Sequence, residues 1–386
     1  MSEIVEMAKS ETTKCSAVLE VFKKRFTAPF DIEINNQDDV LLNDTVPSFS
    51  FKYIDTTTNE NIIIERKNLE KVLSQGERRA LYILNIIYDI EALKIERKNV
   101  LIVADDVSDS FDYKNKYAII EYLQEMCRES NFKLIILTHN FDFYRTMVSG
   151  LGSSLKPWMT IKNETGIEIK LPKYVYKNPF TEIKKSVISG SEKSLLTAIP
   201  FIRNIIEYTD STTNEDYKKL TSLLHRKDDT ESITISELIN IYQNNIKTSQ
   251  QIIIPNIHNR VYEVLYIQAN DIINSNIEEL DIENKIILSI AIRIMAEDLI
   301  IEAVKDKDGS MESINKVRDK NYCQTGKLIE LYKQKFPSEY SIIKLLEEVN
   351  LMTSENIRIN SFMFEPIIDM SINHLVVLYN EFIGLK

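Results

Sequence analysis

Three groups of residues in this 386-residue chain combine types and spacings that could do chemistry. The first is Leu73-Ser-Gln-Gly-Glu-Arg-Arg-Ala80. Here Ser74 offers a hydroxyl, Gly76 allows close backbone approach, and Gln75 and Glu77 open a segment of helical periodicity. The first turn of a helix is a place to hold an anion such as phosphate. The same five letters also suit an ordinary helix start capped by serine. The second group is Asp105-Asp106, which ends one apolar run, with Asp112 in the loop beyond it and His139 at the end of the next apolar run. Adjacent acids there could hold a divalent cation through water, or form a solvated turn; a histidine at a strand tip can equally be structural. The third is Arg203-Asn-Ile-Ile-Glu207 with His225 downstream. A guanidinium and a carboxylate four apart share a helix face, and an imidazole adds a group that exchanges protons near neutral pH. Taken alone, this set also reads as an intrahelical ion pair and an unrelated histidine.

The elements that must position these groups follow from periodicity. Residues 4–26 read as helix. Alternation then predicts strands at Phe30 to Ile34, Ser48 to Tyr53 and Ile62 to Ile64. Ala80, Leu81, Leu84, Ile87 and Ile90 recur at helical spacing behind the serine loop. Asn99 to Ala104 and Lys133 to Thr138 are short continuous apolar runs, expected as strands buried on both faces, with a helix from Lys116 to Arg128 between them. Trp158 to Ile161 and Ile167 to Lys170 form an antiparallel pair, and 174–180 is a polar connector. Beyond Asn178 every segment reads as helix: 194–208, 216–225, 235–246, 257–274, 285–304, 311–336, 338–349 and 372–382.

Composition narrows the classes. The formal charge of -11 argues against wholesale coating of nucleic acid. Cys15, Cys127 and Cys323 are far apart and form no CxxC pair, so neither a zinc site nor a disulfide framework is indicated, and a reducing cytoplasm is expected. The charged opening residues lack the apolar core of a secretory signal, and the longest apolar runs stop short of a membrane span, so no membrane partner is expected.

The order and spacing of the motifs resemble the second half of an ABC-type ATPase: a signature loop at Ser74 to Glu77, a Walker B strand ending at Asp105, a D-loop with Asp112, and a switch histidine at His139. The resemblance implies that Asp105 holds Mg²⁺ through water, that Asp106 orients the attacking water and that His139 contacts the γ-phosphate. No G-x-x-x-x-G-K-[ST] occurs in the sequence. The cradle for the β- and γ-phosphates must therefore come from a P-loop-containing N-terminal half or another subunit. In ABC ATPases interrupted by a coiled coil, the P-loop half precedes the helical arm and the signature half follows it.

The runs 73–80, 102–117 and 136–143 further resemble the ATPase half of the PrrC/RloC anticodon nucleases, bacterial proteins that cut tRNA in the anticodon loop on signs of phage infection. The fold class this implies is an α/β ABC-type ATPase C-terminal lobe, a mixed sheet with helices, followed by an all-α, HEPN-like helical domain. Residues 1–28 would be the end of a helical arm, 29–177 the lobe and 178–386 the nuclease domain. These nucleases carry an Arg, a Glu four residues later and a downstream His, and Arg203, Glu207 and His225 match in type and order; His258 and His374 are alternatives for the last. The implied activity is a toxin-like tRNA cleavage in antiphage defence, gated by ATP or GTP with Mg²⁺, with oligomerisation through engagement of ABC-type heads.

Such cleavage needs no metal. The ribose 2′-OH attacks the adjacent phosphorus, leaving a 2′,3′-cyclic phosphate and a 5′-OH. Glu207 and His225 would share the roles of base and acid, in either assignment. Arg203 would stabilise charge on the phosphorane. Basic residues at 170–185, interleaved with Tyr174 and Tyr176, and a second run from Lys316 to Lys335 could contact phosphates, although such runs are usually solvated helix faces. The competing expectation is a non-catalytic ABC-type half, like those of repair or chromosome-maintenance proteins, whose helical domain only binds partners.

Overall fold

The computed structural model describes residues 18–20, 22–26, 30–34, 49–54, 61–64, 71, 75–107, 113–151, 155–163, 166–171, 179–246, 248, 250–275, 281–318, 323–352 and 371–385. The chain is a mixed α/β part followed by a mostly helical part. Contacts divide it into two compact units, residues 1–156 and 157–386. This division falls before the antiparallel pair at 159–170, whereas the sequence reading draws it after that pair.

In the first unit, β1 (Phe30–Ile34), β2 (Phe49–Ile54) and β3 (Asn61–Ile64) form an antiparallel sheet in that order, with Phe30 opposite Tyr53 and Phe51 opposite Ile64. Helix α1 (Gln75–Ile95) follows. Its Ile83, Ile87 and Ile90 recur every three or four residues and are all buried, the stripe expected of a helix with one apolar face. Next, β4 (Val100–Asp105), α2 (Tyr113–Met126) and β5 (Phe132–Leu137) make a β-α-β unit whose strands run parallel, Val100 opposite Phe132 and Asp105 opposite Leu137. α3 (Phe141–Leu151) completes the unit. Ala104 and Phe132 of the strands pack with Ile87 of α1, Ile119 and Tyr122 of α2, and Phe143 of α3 in one core.

That parallel pair corrects one expectation. Its strands are buried on one face only: Leu101, Val103, Ile135 and Leu137 alternate outward and are 47–59% exposed. A continuous apolar run predicts two covered faces, and here the chain supplies a layer for one.

The second unit opens with the hairpin β6 (Met159–Asn163) and β7 (Gly166–Lys170), paired antiparallel as expected. From Pro179, with one isolated bridge between Thr234 and Arg260 at the ends of the longer connections 223–234 and 247–260, the regular elements among the described residues are helices. These are α4 (Pro179–Ile188), α5 (Glu192–Thr197), α6 (Ile199–Thr209), α7 (Glu215–Ser222), α8 (Ile235–Ile246), α9 (Val261–Ile273), α10 (Ile282–Asp308), α11 (Glu312–Arg318), α12 (Gln324–Lys335), α13 (Tyr340–Met352) and α14 (Ile372–Leu385).

α10 is the axis of this unit, packing against α5, α9, α11, α12, α13 and α14. Every residue from Ile282 to Asp298 is buried, the charged Glu283, Lys285, Arg293, Glu297 and Asp298 among them, and a helix covered on every side belongs inside a bundle. Asp281 caps its start by accepting from the Asn284 N–H at 3.2 Å. Gly309, at φ 65°, ends it, its N–H donating to the Lys305 carbonyl at 2.8 Å, as a left-handed glycine does at a helix C-terminus. The expected single helix 311–336 is two, α11 and α12, with Cys323 at φ 53° heading the second. Cys323 thus stands in the left-handed region immediately before α12, where no glycine or proline is found. Among the described residues no helix is long and apolar enough to cross a membrane.

Candidate functional site

The ends of β4 and β5 place Asp105, Asp106 and His139 at one sheet edge. In parallel sheets ligands gather at the carboxyl ends of strands. Asp106 turns there at φ 44° and its N–H continues the ladder to the Leu137 carbonyl at 3.0 Å. Its Oδ1 accepts from the His139 N–H at 3.1 Å and lies 3.0 Å from His139 Nδ1. Slight burial raises the Asp106 pKa, but the His139 N–H and ring outweigh it and leave the carboxyl below its ordinary range. Asn140 then starts α3, its Oδ1 accepting from the Phe143 N–H at 2.9 Å.

Gln75, Gly76 and Glu77 form the first turn of α1. Ser74 and Asp112 lie outside the described residues. Asp105 is exposed at its strand end, which suits one carboxylate of a water-bridged Mg²⁺ whose remaining ligands come from phosphates. No group of three or more metal-binding side chains forms among the described residues.

The helical unit places Arg203 and Glu207 on α6 and His225 just past the end of α7. α6 and α7 are joined by the short connection 210–214 and pack together. Arg203 Nε donates to Thr221 Oγ1 at 2.8 Å and its Nη2 to Tyr217 OH at 2.7 Å, with the guanidinium over the Tyr217 ring. The expected Arg203–Glu207 ion pair is therefore absent: the guanidinium turns across to α7. The half-buried Glu207 carboxylate has no hydrogen-bond partner among the described residues. α7 ends at Ser222, earlier than expected, and the chain turns so that the His225 N–H donates to the Thr221 carbonyl at 2.9 Å. Glu207 and His225 thus lie on opposite sides of the Arg203–Thr221 contact, each about 6 Å from it along the hairpin at 1.5 Å per residue.

His225 meets a residue the motif reading did not single out. Its Nδ1 is 2.8 Å from Oε1 of Glu297, in the middle of α10. The His225 side chain is 12% exposed and that of Glu297 is 0%. Glu297 receives three further donors: Thr325 Oγ1 to Oε1 at 2.7 Å, and the Arg226 N–H at 2.6 Å and Gln324 Nε2 at 2.7 Å to Oε2. Two of these belong to the first turn of α12, where negative charge is favoured. Burial alone would raise the Glu297 pKa; the His225 ring, Thr325 and the Arg226 N–H outweigh that and hold it below its ordinary range. An ionised carboxylate only accepts, so Nδ1 of His225 carries a hydrogen, and in the neutral ring Nε2 is then the acceptor. Nε2 has no partner among the described residues.

The surrounding shell holds this loop in place. Arg226 Nε pairs with Asp298 at 2.7 Å, the guanidinium lies over Tyr262, and Tyr262 OH donates to Asp298 at 2.9 Å. Burial, with the charge of Asp298, pushes Tyr262 up to about 12. Lys227 donates to the Arg318 carbonyl, and Arg318 pairs with Asp228 at 2.6 Å. One sequence signal could have found Glu297: Glu297-Asp298 interrupts an otherwise apolar stretch of α10, and a carboxylate there costs several kcal/mol, on the order of that for any buried ion, unless it is paired.

Most of the basic run from Lys316 to Lys335 is committed to carboxylates, with Lys316 on Glu312, Arg318 on Asp228, Lys333 on Glu347 and Lys335 on Asp308. Lys170 and Lys185 pair with Glu168 and Glu182. Lys173, Tyr174, Tyr176 and Lys177 lie outside the described residues. His258 is exposed, and His374 sits 3.7 Å from Glu348 with 54% of its side chain exposed, so neither is held as His225 is. Compared with known proteins, the chain matches no family model and no curated relative.

Proposed function

We propose that this chain joins the second half of an ABC-type ATPase lobe to an endoribonuclease domain that cuts tRNA in the anticodon loop, as the PrrC/RloC nucleases it resembles do. One observation carries the reading: His225, its Nδ1 held by a buried carboxylate and its Nε2 unengaged, lies one turn from the threonine that anchors Arg203. Along the α6–α7 hairpin the order is Glu207, Arg203, His225. A phosphodiester lying along it would have a guanidinium at its centre and a proton-transfer group at each end. In-line attack of a 2′-OH needs this: one group takes the proton, another returns one to the departing 5′ oxygen, and a fixed cation meets the developing charge.

The lobe would act as the gate. Asp105, Asp106 and His139 share one edge, and the four aliphatic side chains of the open β4–β5 face are what a further sheet layer would cover. A P-loop-containing half would supply that layer together with the phosphate cradle, and ATP or GTP with Mg²⁺ would then bind between the two halves. Asp105 fits as a carboxylate for that ion. RNA cleavage itself needs only the side chains of the helical unit.

The competing reading, a non-catalytic ABC-type half with a partner-binding helical domain, is favoured by one feature: the Nε and Nη2 donors of Arg203 are already used by Thr221 and Tyr217. End-labelled total tRNA after brief induction of the chain separates the two, with Arg203→Ala, Glu207→Ala and His225→Ala compared at matched protein levels. Anticodon-loop cuts with cyclic-phosphate ends are expected from the parent. Loss of at least about 100-fold is expected for Arg203→Ala and for His225→Ala, the scale of a lost charge-stabilising group and of a lost acid–base group respectively. Intact tRNA, both from the chain alone and with a P-loop half supplied in trans, would establish the non-catalytic reading.

A further inference from the structure

We infer that Glu297 is the positioning residue for His225: it fixes the ring as the Nδ1–H tautomer and keeps Nε2 free to move the proton in RNA cleavage. The inference rests on the nuclease reading and adds to it a residue of α10 that lies some seventy positions from the hairpin in sequence.

The lone-pair count supports the assignment. The two Glu297 oxygens meet four donors, two each, and all four distances fall between 2.6 and 2.8 Å. The carboxylate has no capacity left for substrate and no exposed surface. It therefore cannot be a base for RNA; it can act only through the groups it holds. Three of those groups, the Arg226 N–H, Gln324 and Thr325, fasten the 223–230 turn and the start of α12 to α10. They would suffice for a structural tie. The fourth is an imidazole whose other nitrogen is unengaged and whose side chain keeps some exposure. A carboxylate on Nδ1 sets the ring orientation, selects the tautomer less favoured in water and stabilises the imidazolium formed when Nε2 takes a proton. In balance, Nε2 would accept the 2′-OH proton as the oxygen–phosphorus bond forms, or in the reverse assignment give a proton to the 5′ oxygen as its bond to phosphorus breaks. The Nδ1 proton stays on the ring in both.

The test uses the full chain labelled with ¹⁵N-histidine, which contains four histidines, with His225→Gln identifying the signal. Long-range ¹H–¹⁵N correlation near neutral pH is expected to show His225 as the Nδ1–H form. In Glu297→Gln, the signal should move toward the Nε2–H form or a mixture. Cleavage of tRNA should fall roughly 10- to 1,000-fold through kcat with KM little changed, the scale seen when the orienting partner of a catalytic or ligating histidine is altered. Glu297→Asp should recover part of both. If Glu297→Gln fails to fold, the parent tautomer and the Glu297→Asp rate carry the decision.

An Nε2–H tautomer in the parent would overturn the inference, as would a folded Glu297→Gln that cleaves at the parent rate. Either result leaves the nuclease reading standing if His225→Ala is inactive. If His225→Ala cleaves as well as the parent, or the parent cuts no RNA with a P-loop half present, the nuclease reading fails. An Nδ1–H signal would then mark the pair as structural, and the inference falls with the reading.

Discussion

The chain holds two carboxylate–histidine pairs of the same chemistry in opposite surroundings. Asp106 and His139 meet at 3.0 Å on the edge of the parallel strands, with side chains 38% and 70% exposed. Glu297 and His225 meet at 2.8 Å inside the helical unit, with side chains 0% and 12% exposed. In water the first pair is screened and contributes at most about 1 kcal/mol. It can be opened cheaply by a ligand that competes for either partner, which suits a switch. The second is desolvated and every oxygen is committed, so it is rigid, which suits a group that must hold one tautomer. The settings differ in the same sense. Beside the first pair lies a sheet with one apolar face uncovered; the second is held between α10, the start of α12 and the turn after α7.

The largest expected effect comes from deleting the buried carboxylate. Glu297→Ala leaves the His225 ring, an N–H, an amide and a hydroxyl without their acceptor. It should destabilise the helical unit by about 3–5 kcal/mol, the range for breaking a buried pair. Urea unfolding of the full chain followed by far-UV circular dichroism measures this. Asp106→Ala in the same assay should change stability by less than about 1 kcal/mol; equal effects would erase the distinction.

The apolar surroundings give the next contrast. Ile87→Ala, in the core of the first unit, should cost about 2–4 kcal/mol. Leu101→Ala on the open sheet face should stay within about 0.5 kcal/mol in the chain alone. It should become costly only once a further layer covers that face, so its effect on binding a P-loop half in trans sharpens the comparison.

Protonation gives a smaller, graded version. The Glu297 carboxyl is held below the ordinary glutamate value of 4.5. Its contribution to stability is present in full above that value and is lost as pH falls through the lower folded value. Glu297→Gln should therefore flatten the acid limb of the stability curve of the helical unit. Asp106→Asn, where the shift has the same direction but the pair is exposed, should leave the curve nearly unchanged.

Much of the architecture was legible in residue order. Alternation marked β1 to β3, and the spacing of Ala80, Leu84, Ile87 and Ile90 marked α1. Apolar residues three and four apart marked the helix at 285–304, because the helical period is written locally. Asp105, Asp106 and His139 were also legible, since a strand and its tip are adjacent in sequence and a parallel register brings two tips together. The start of α12 behind a left-handed Cys323 was not, because neither glycine nor proline stands at that position.

For the candidate nuclease site, the resemblance to the PrrC/RloC nucleases pointed to Arg203, Glu207 and His225, but not to whom each would touch. Helical spacing makes Arg203 and Glu207 neighbours by geometry alone, yet the guanidinium found a hydroxyl and a phenol on α7, where aromatic stacking adds to the hydrogen bonds. His225 found a carboxylate seventy-two residues away, a separation over which no periodicity carries information. The sequence by itself determined which segments are helix or strand and which chemical groups exist, because those depend on near neighbours. Only the tertiary structure decided that Glu297 faces His225 and that one side of the β4–β5 pair stays open, because both depend on which surfaces remain once the long-range packing is complete.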